Sequence, residues 1–282
     1  MAWVLLVLLY GLLKGGREIV KKKALTVSTV MEVLVVYTAL SFVMVIPDIP
    51  QVGGLKWDQY LWIAAKALCV FTAWMCSFRA IKKMPVSLYG IIDLSRVIFS
   101  TLLGAFVLGE VLRAGQVAGL ILVCTGLFML KQRKAAPGQS DSVPAKFVLM
   151  ALASCLFNGL SGTMDKVLMK EMTSAQLQFW YTLFMLLMYL IYVAATRTKI
   201  NWKGAVCNKW VWLLALMFVI GDRALFMANG MPESRVTVMT LIKQSGCLVT
   251  IIGGKLVFGE KNIRYKLICA AVVVAGIVVA VI

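Results

Sequence analysis

The chain of 282 residues contains no histidine. Histidine is the commonest metal ligand and the side chain that titrates nearest neutral pH, so its lack argues against a Cys-His nucleophile or a zinc centre and leaves any proton coupling to carboxylates. The seven cysteines (Cys69, Cys76, Cys124, Cys155, Cys207, Cys247, Cys269) are scattered through mostly apolar runs and show no CxxC spacing. They read as small packing residues rather than ligands, and neither a metal nor any other cofactor is expected. No GxxxxGK[ST] phosphate loop is present, which excludes an ATP-driven pump. No nucleophile elbow is visible either, so an enzyme is not expected. Segments of about 10 residues with alternating polarity, the mark of a transmembrane β-barrel, are missing. Acidic residues are scarce, 12 Asp and Glu against 29 Lys and Arg, for a net charge of +17. In a soluble protein that balance would suggest nucleic acid. Here the cations crowd one set of loops, as in membrane proteins whose cytoplasmic loops face anionic lipid, so lipid and not nucleic acid is the expected partner. The first apolar run, from Ala2, continues past Gly11 and ends in charges, so no cleavable signal peptide is expected.

Apolar residues are what the chain has in excess. They make up 61% of it, and the mean hydropathy is +0.90, whereas soluble domains hold roughly 45–50%. They fall in runs of about 20, the length that crosses a hydrocarbon core of roughly 30 Å as helix. Ten spans are predicted, roughly 2–21, 27–46, 59–78, 85–108, 113–130, 146–168, 176–195, 209–229, 236–258 and 264–282. The segment KQRKAAPGQSDSVPAK between the fifth and sixth is polar and carries Pro, Gly and Ser, so it reads as a flexible linker. The expected organisation is a first repeat over 1–131, a linker over 132–145 and a second repeat over 146–282.

The two halves resemble each other. PVSLYGIIDLSRVIFSTLLGAFVLGE, from Pro85, and PESRVTVMTLIKQSGCLVTIIGGKLVFGE, from Pro232, share their endings at an offset of 150 residues, which sets Ser95 on Ser245 and Asp93 on Lys243. GLLKGGREIVKKKALT and GLSGTMDKVLMKEMT match at an offset of 147, Gly15 on Gly162, Glu18 on Asp165 and Thr26 on Thr173. An odd number of spans per half turns the second half upside down in the membrane. The fold class predicted is thus an all-α membrane protein of ten transmembrane helices in two inverted five-helix repeats, an arrangement typical of secondary transporters with a midplane site. Small residues in spans 5 and 10 (Gly115 and Gly119; Ala271, Ala275 and Gly276) suit close helix packing, so these spans are expected to form scaffold.

Loops on the side of the first connection carry 17 Lys and Arg, and the opposite loops carry Lys56, Arg113, Lys170 and Arg235. The positive-inside rule then puts the linker in the cytoplasm and both termini outside.

The five-plus-five order, KKALT and DKVLMK after the first helix of each half, the Met-Pro pairs that open spans 4 and 9 (Met84-Pro85 and Met231-Pro232) and the Gly-Glu pairs that close them together resemble the EamA-type drug/metabolite transporter superfamily. The resemblance covers essentially the whole chain. It implies export or exchange of small metabolites, with nucleotide-sugar and organic-phosphate translocators and small multidrug exporters among the relatives. Many ten-span members are thought to keep their termini in the cytoplasm, opposite to the orientation counted above.

Thirteen charged residues fall in or near spans: eight cations (Lys14, Arg17, Lys66, Arg96, Lys166, Arg223, Lys243, Lys255) and five carboxylates (Glu18, Glu32, Asp93, Asp165, Asp222). Each costs at least roughly 2.5–3.5 kcal/mol at the bilayer centre, so they must face one another or a wet cavity. Lys14, Lys66 and Lys255 are read as snorkelling side chains, with Glu18 set to pair with Lys14 four residues away. Asp165, Asp222 and Arg223 are expected to pair across helices, as structural or coupling groups. Asp93, Arg96 and Lys243, with Ser95, Gln244 and Ser245 nearby, form the candidate substrate site, in which Asp93 and Lys243 face each other across the repeat axis. The surplus of cations suits a small anionic or zwitterionic solute. The alternative is a buried ion-pair network that only fixes helix register.

The function read from these residues is a secondary transporter in the cytoplasmic membrane, a monomer or homodimer, coupled to a proton or a counter-substrate. One alternative is an exporter of aromatic or cationic compounds, with Trp62, Phe71, Trp74, Tyr89, Trp180 and Tyr181 as a cation–π box. Another is a non-transporting membrane subunit of a lipid-modifying complex.

Overall fold

A computed structural model describes residues 2–99, 114–132, 143–231 and 242–281. Among the described residues the chain is helical throughout, with no strand. We number the helices α1 (Ala2–Val27), α2 (Val30–Val45), α3 (Trp57–Lys83), α4 (Val86–Asp93), α5 (Ala114–Gln132), α6 (Ala145–Leu168), α7 (Ser174–Thr196), α8 (Trp202–Cys207), α9 (Lys209–Asn229), α10 (Ser245–Phe258) and α11 (Ile263–Val281). A 3-10 turn, Ile46–Gln51, extends α2. Five stretches are long and apolar enough to cross a membrane: Val30–Gln51, Trp57–Lys83, Ala145–Asp165, Ser174–Thr196 and Lys209–Ala228. At 26 residues α1 has the length, but it carries Lys14, Arg17, Glu18 and Lys21 along its course.

Local chemistry places the starts of the helices. Thr29 accepts from the Glu32 N–H at 3.3 Å while Glu32 accepts from the Thr29 N–H at 2.8 Å, a capping box that opens α2. Thr173 and Gln176 do the same for α7, at 3.2 and 2.8 Å. The functional counterpart of Thr173 is therefore Thr29, three residues beyond the Thr26 that sequence registration pairs with it.

Polarity runs opposite to that of a soluble domain. Leu5, Leu61, Ile121, Leu149, Ile191 and Leu256 point outward, whereas Lys66, Asp93, Ser95 and Gln178 are buried. That is the distribution an apolar solvent selects.

The helices pack in matched sets. α1 lies along α9 as α6 lies along α3; α2 packs on α9 as α7 packs on α3; α1 meets α10 as α6 meets α4. The pairs α4–α10, α2–α7 and α5–α11 are their own counterparts. These pairs map onto one another when α1, α2, α3, α4 and α5 are exchanged for α6, α7, α9, α10 and α11, whereas the packing of α1 on α3 and α4, and of α11 on α4, is not matched among the described residues. In the α5–α11 pair, a Cβ added at Gly276 would sit 2.7 Å from the Gly119 carbonyl, so the backbones touch.

Hydrogen bonds mark two ends of the bundle. At one, Lys22 donates to the Met84 carbonyl at 2.6 Å, Asn208 donates to the Ala24 carbonyl and to Ser28, and Glu260 reaches Val86. At the other, Arg223 meets Asp48, Gln176 donates to the Gly53 carbonyl, Trp180 donates to the Val52 carbonyl and Gln59 donates to Glu171.

Candidate functional site

The two helices that cross on the exchange axis, α4 and α10, are both interrupted. In α4 the backbone turns at Leu94 and Ser95 before helix resumes at Arg96. There the Leu94 N–H donates to the Ile91 carbonyl at 3.1 Å and the Ser95 N–H to the Ile92 carbonyl at 2.9 Å. These i→i+3 bonds are the tighter 3-10 pattern, which inside a long helix marks a functional hinge or strain. Before α10, residues 242–243 are helical, Gln244 forms a turn and Ser245 starts the helix, with the Cys247 N–H bonded to the Gln244 carbonyl at 2.9 Å. The breaks fall at matched positions of the 150-residue offset. The sequence predicts spans 4 and 9 as uninterrupted apolar helices, because propensity does not register a single tightened turn inside an apolar run.

Glycine lets a third helix reach this crossing. A Cβ on Gly15 of α1 would lie 2.6 Å from the Val249 Cβ and 2.9 Å from the Gly246 Cα, and one on Gly246 would lie 2.7 Å from the Gly11 carbonyl. α1 and α10 therefore meet backbone to backbone. Gly90 of α4 lies against a side chain, since a Cβ there would sit 2.8 Å from the Thr250 Cβ.

A cavity of about 10 Å³ lies between the three helices, lined by Lys14 and Glu18 of α1, Gly90 and Asp93 of α4, and Lys243, Gln244 and Cys247 at the start of α10. It has room for roughly one water molecule. Both oxygens of the Asp93 carboxylate are taken: Lys14 Nζ lies 2.6 Å from Oδ2, and an Arg96 amino nitrogen donates to Oδ1 at 3.0 Å. Asp93 is thus held by Lys14 and Arg96, and the partner expected for it, Lys243, lines the same cavity. Three polar atoms beside this cluster are buried without a hydrogen bond among the described residues: the hydroxyls of Ser95 and Ser245, and Arg96 Nε.

The remaining span charges pair across or along helices. Glu18 does not pair with Lys14. It bonds Lys21, one turn on, at 2.7 Å, and Lys21 also donates to Ser77 at 3.0 Å. Lys21 belongs to the basic cluster that the sequence assigns to a cytoplasmic loop, but α1 continues to Val27 and buries it, with 7% exposure. Asp222 of α9 receives Arg17 of α1 at 3.1 Å, and Asp165 of α6 receives Lys66 of α3 at 2.9 Å. Arg223 holds Asp48 and Gln178. Lys14 and Lys66, read as snorkelling from sequence, are instead internal. Only the number of charges signals this, because hydropathy does not tell a lipid-facing lysine from one that faces a carboxylate on a distant helix. Glu32 caps α2 at its surface end, Lys255 is exposed, and the side chain of Lys166 lies outside the described residues.

A profile of the EamA-like transporter family matches residues 1–131 and 145–282. The chain belongs to the EamA-like transporter family. No curated protein matches it by sequence. Among solved structures, one described only as the crystal structure of a protein is 17% identical over 99% of this chain and 96% of its own, with a TM-score of 0.68, a likeness of fold.

In this EamA chain Trp74 and Tyr181, from the aromatic residues of the alternative reading, line a small pocket with Phe218, while Trp62, Phe71, Tyr89 and Trp180 do not line it. Trp74 stacks on Tyr37 at 4.9 Å and meets Phe218 edge-on at 5.3 Å; Phe71 packs on Tyr189 at 4.7 Å; Trp180 packs on Tyr60 at 4.8 Å. Trp62 is 59% exposed on the outer surface. The cation faces are already occupied: Lys66 lies 4.6 Å from the Tyr181 ring centre, and Lys21 lies 5.6 Å from that of Tyr89.

Proposed function

We propose that this protein is a secondary transporter of the cytoplasmic membrane that moves a small anionic or zwitterionic metabolite by alternating access. The carrying observation is the buried cluster at the α4–α10 crossing, where Lys14 and Arg96 share the single carboxylate of Asp93. Two cations on one carboxylate leave a net positive charge in a low-dielectric site, which an anionic group on the substrate would neutralise. The guanidinium of Arg96 offers a planar fork for a carboxylate or phosphate, and Lys14 and Lys243 offer point charges. Ser95, Gln244 and Ser245 add neutral hydrogen bonds. Glu18, Asp93, Asp165 and Asp222 are carboxylates available for proton coupling, with counter-substrate exchange the other route.

The architecture that goes with this reading is ten crossings in two inverted repeats. It is supported by the exchange of matched packing pairs between the halves, five helices from each. Interrupted helices on the axis beside a central cavity are what such transporters use to bind substrate. The loop charges favour a cytoplasmic linker with both termini outside. Labelling of Ser140→Cys in intact cells by an impermeant thiol reagent would reverse that orientation.

The deciding experiment pairs transport with stability. A thermal-shift screen of the purified protein against a metabolite panel finds the ligand by its stabilisation of the native state. With that ligand, Arg96→Lys should weaken uptake and Arg96→Ala nearly abolish it, at unchanged abundance and melting temperature. Normal transport by Arg96→Ala at wild-type abundance overturns the site, and stabilisation by aromatic cations alone selects the multidrug reading.

A further inference from the structure

Helix α4 begins without a cap of its own. Pro85 occupies its N-cap and offers no side-chain acceptor, which leaves the first N–H groups of the helix to be satisfied from elsewhere. The acceptor comes from the other half of the chain. Gly259 ends α10 in the left-handed conformation, φ 63°, a turn that glycine adopts at little cost, and it directs Glu260 back over the start of α4. The carboxylate accepts from the Val86 N–H at 2.6 Å and the Ser87 N–H at 3.3 Å, and also from the Ser87 hydroxyl. Lys266 of α11 completes the cluster, donating to Glu260 at 3.1 Å and to Ser87 at 2.6 Å. Gly254 leaves room for the carboxylate, since a Cβ there would lie 2.9 Å from its Oε2. Val86 and Ser87 are fully buried.

The two elements joined here are the end of α10 and the beginning of α4, the helices whose other ends carry Gln244 and Asp93 at the cavity. At the opposite end of the bundle, Asp48 before α3 meets Arg223 of α9, again one residue from each half.

We infer that Glu260 is a latch that closes the cavity at the Met84–Glu260 end of the bundle, by tying the start of α4 to the end of α10, and that it must release for the cavity to open there. The latch rests on the alternating-access reading. Its acceptor is charged, so each of its bonds is stronger than a neutral one, and it bridges the halves that must separate. Glutamine keeps the shape of the side chain but loses the charge that holds Lys266 and the helix N-terminus.

Cys247 lines the cavity and serves as the probe. In a variant that keeps Cys247 and has the other six cysteines replaced by serine or alanine, in sealed vesicles of each orientation, an impermeant maleimide reports which face reaches the site. Glu260→Gln should raise labelling from the face of the Met84–Glu260 end by roughly tenfold or more, the shift expected for loss of a charge-assisted contact, and leave the other face unchanged. Ser87→Ala should move labelling the same way by less, and Asp48→Asn should raise it from the opposite face. Should Glu260→Gln fail to fold, Ser87→Ala and Lys266→Gln carry the test. An unchanged rate in the latch variants, or an equal rise at both faces, overturns the latch. If Asp48→Asn opens its face while the latch variants stay silent, alternating access stands and the latch falls. If no variant opens either face, both fall.

Discussion

Helices α1 and α6 start the two halves, and each is fastened to a helix of the opposite half by one buried ion pair. At α1 the starting helix supplies the cation, Arg17 to Asp222 of α9. At α6 it supplies the carboxylate, Asp165 to Lys66 of α3. The frame is the same and the charges are interchanged, so duplication preserved where helices meet and left free which side supplies which charge. Only complementarity is constrained, because a buried charge without its partner is what costs stability.

Beyond that pair the two helices differ. Gly15 presses α1 against α10, whereas a Cβ added at the matched Gly162 of α6 would meet nothing within 4 Å among the described residues. Lys14 faces Asp93 in the cavity, while the residue matched to it, Ser161, accepts a hydrogen bond from Lys66 at 2.9 Å. α1 is therefore a wall of the site, and α6 is a support. A symmetric frame carries an asymmetric site.

The strongest way to break this comparison is to remove one charge from each seam. Arg17→Gln and Lys66→Gln should each cost about 3–5 kcal/mol, the range for an orphaned buried charge, read as a lower melting temperature and yield. Neutralising the partner as well, with Asp222→Asn or Asp165→Asn, should recover much of the loss. Additive losses, with each double variant as costly as its two singles summed, would show that the pairs carry no coupling.

Glycine sharpens the difference between the helices. Gly15→Ala should destabilise by about 1–3 kcal/mol through overpacking against Val249 and Gly246. Gly162→Ala should be neutral or stabilising by up to about 1 kcal/mol, since alanine is the better helix residue and has space. Matching effects on melting temperature would mean that α1 and α6 are packed alike after all.

The smallest effect expected is one of pH, at the Glu260 end. Burial works to raise the Glu260 carboxyl, but the Ser87 hydroxyl and the charge of Lys266 outweigh it and hold the group below the ordinary glutamate range. Lys22 of α1 and Lys266 of α11 are the cations around it. A lowered carboxyl contributes stability that is present above its unfolded value, about 4.3, and lost as pH falls through the folded one. The ratio of Cys247 labelling from that face in Glu260→Gln to that in the parent, in which the pH dependence of the thiol itself cancels, should accordingly stay flat between about pH 5 and 8 and fall towards one only in stronger acid, below that unfolded value. A change in that ratio near neutrality would assign the gate to some other group.

How much of this was legible before folding depends on range. The helical segments follow from apolar runs, and the caps at Thr29 and Thr173 are local i,i+3 patterns. The membership in a transporter family is carried by the order of short motifs, and the burial of Asp93 by its depth in an apolar span, all of which a linear chain displays. The offset of 150 also located the two breaks on the axis, though not that they were breaks.

Partner choice was not legible. That Asp93 takes Lys14 and Arg96, that Glu18 turns to Lys21, that Lys66 serves Asp165 and that Glu260 caps α4 depend on which helices cross and at what depth. Sequence alone determined a duplicated helical membrane transporter with too many charges to face lipid. The tertiary structure alone decided how those charges pair, because in a medium without water each must find a partner in space, and space brings together residues as far apart as Arg17 and Asp222.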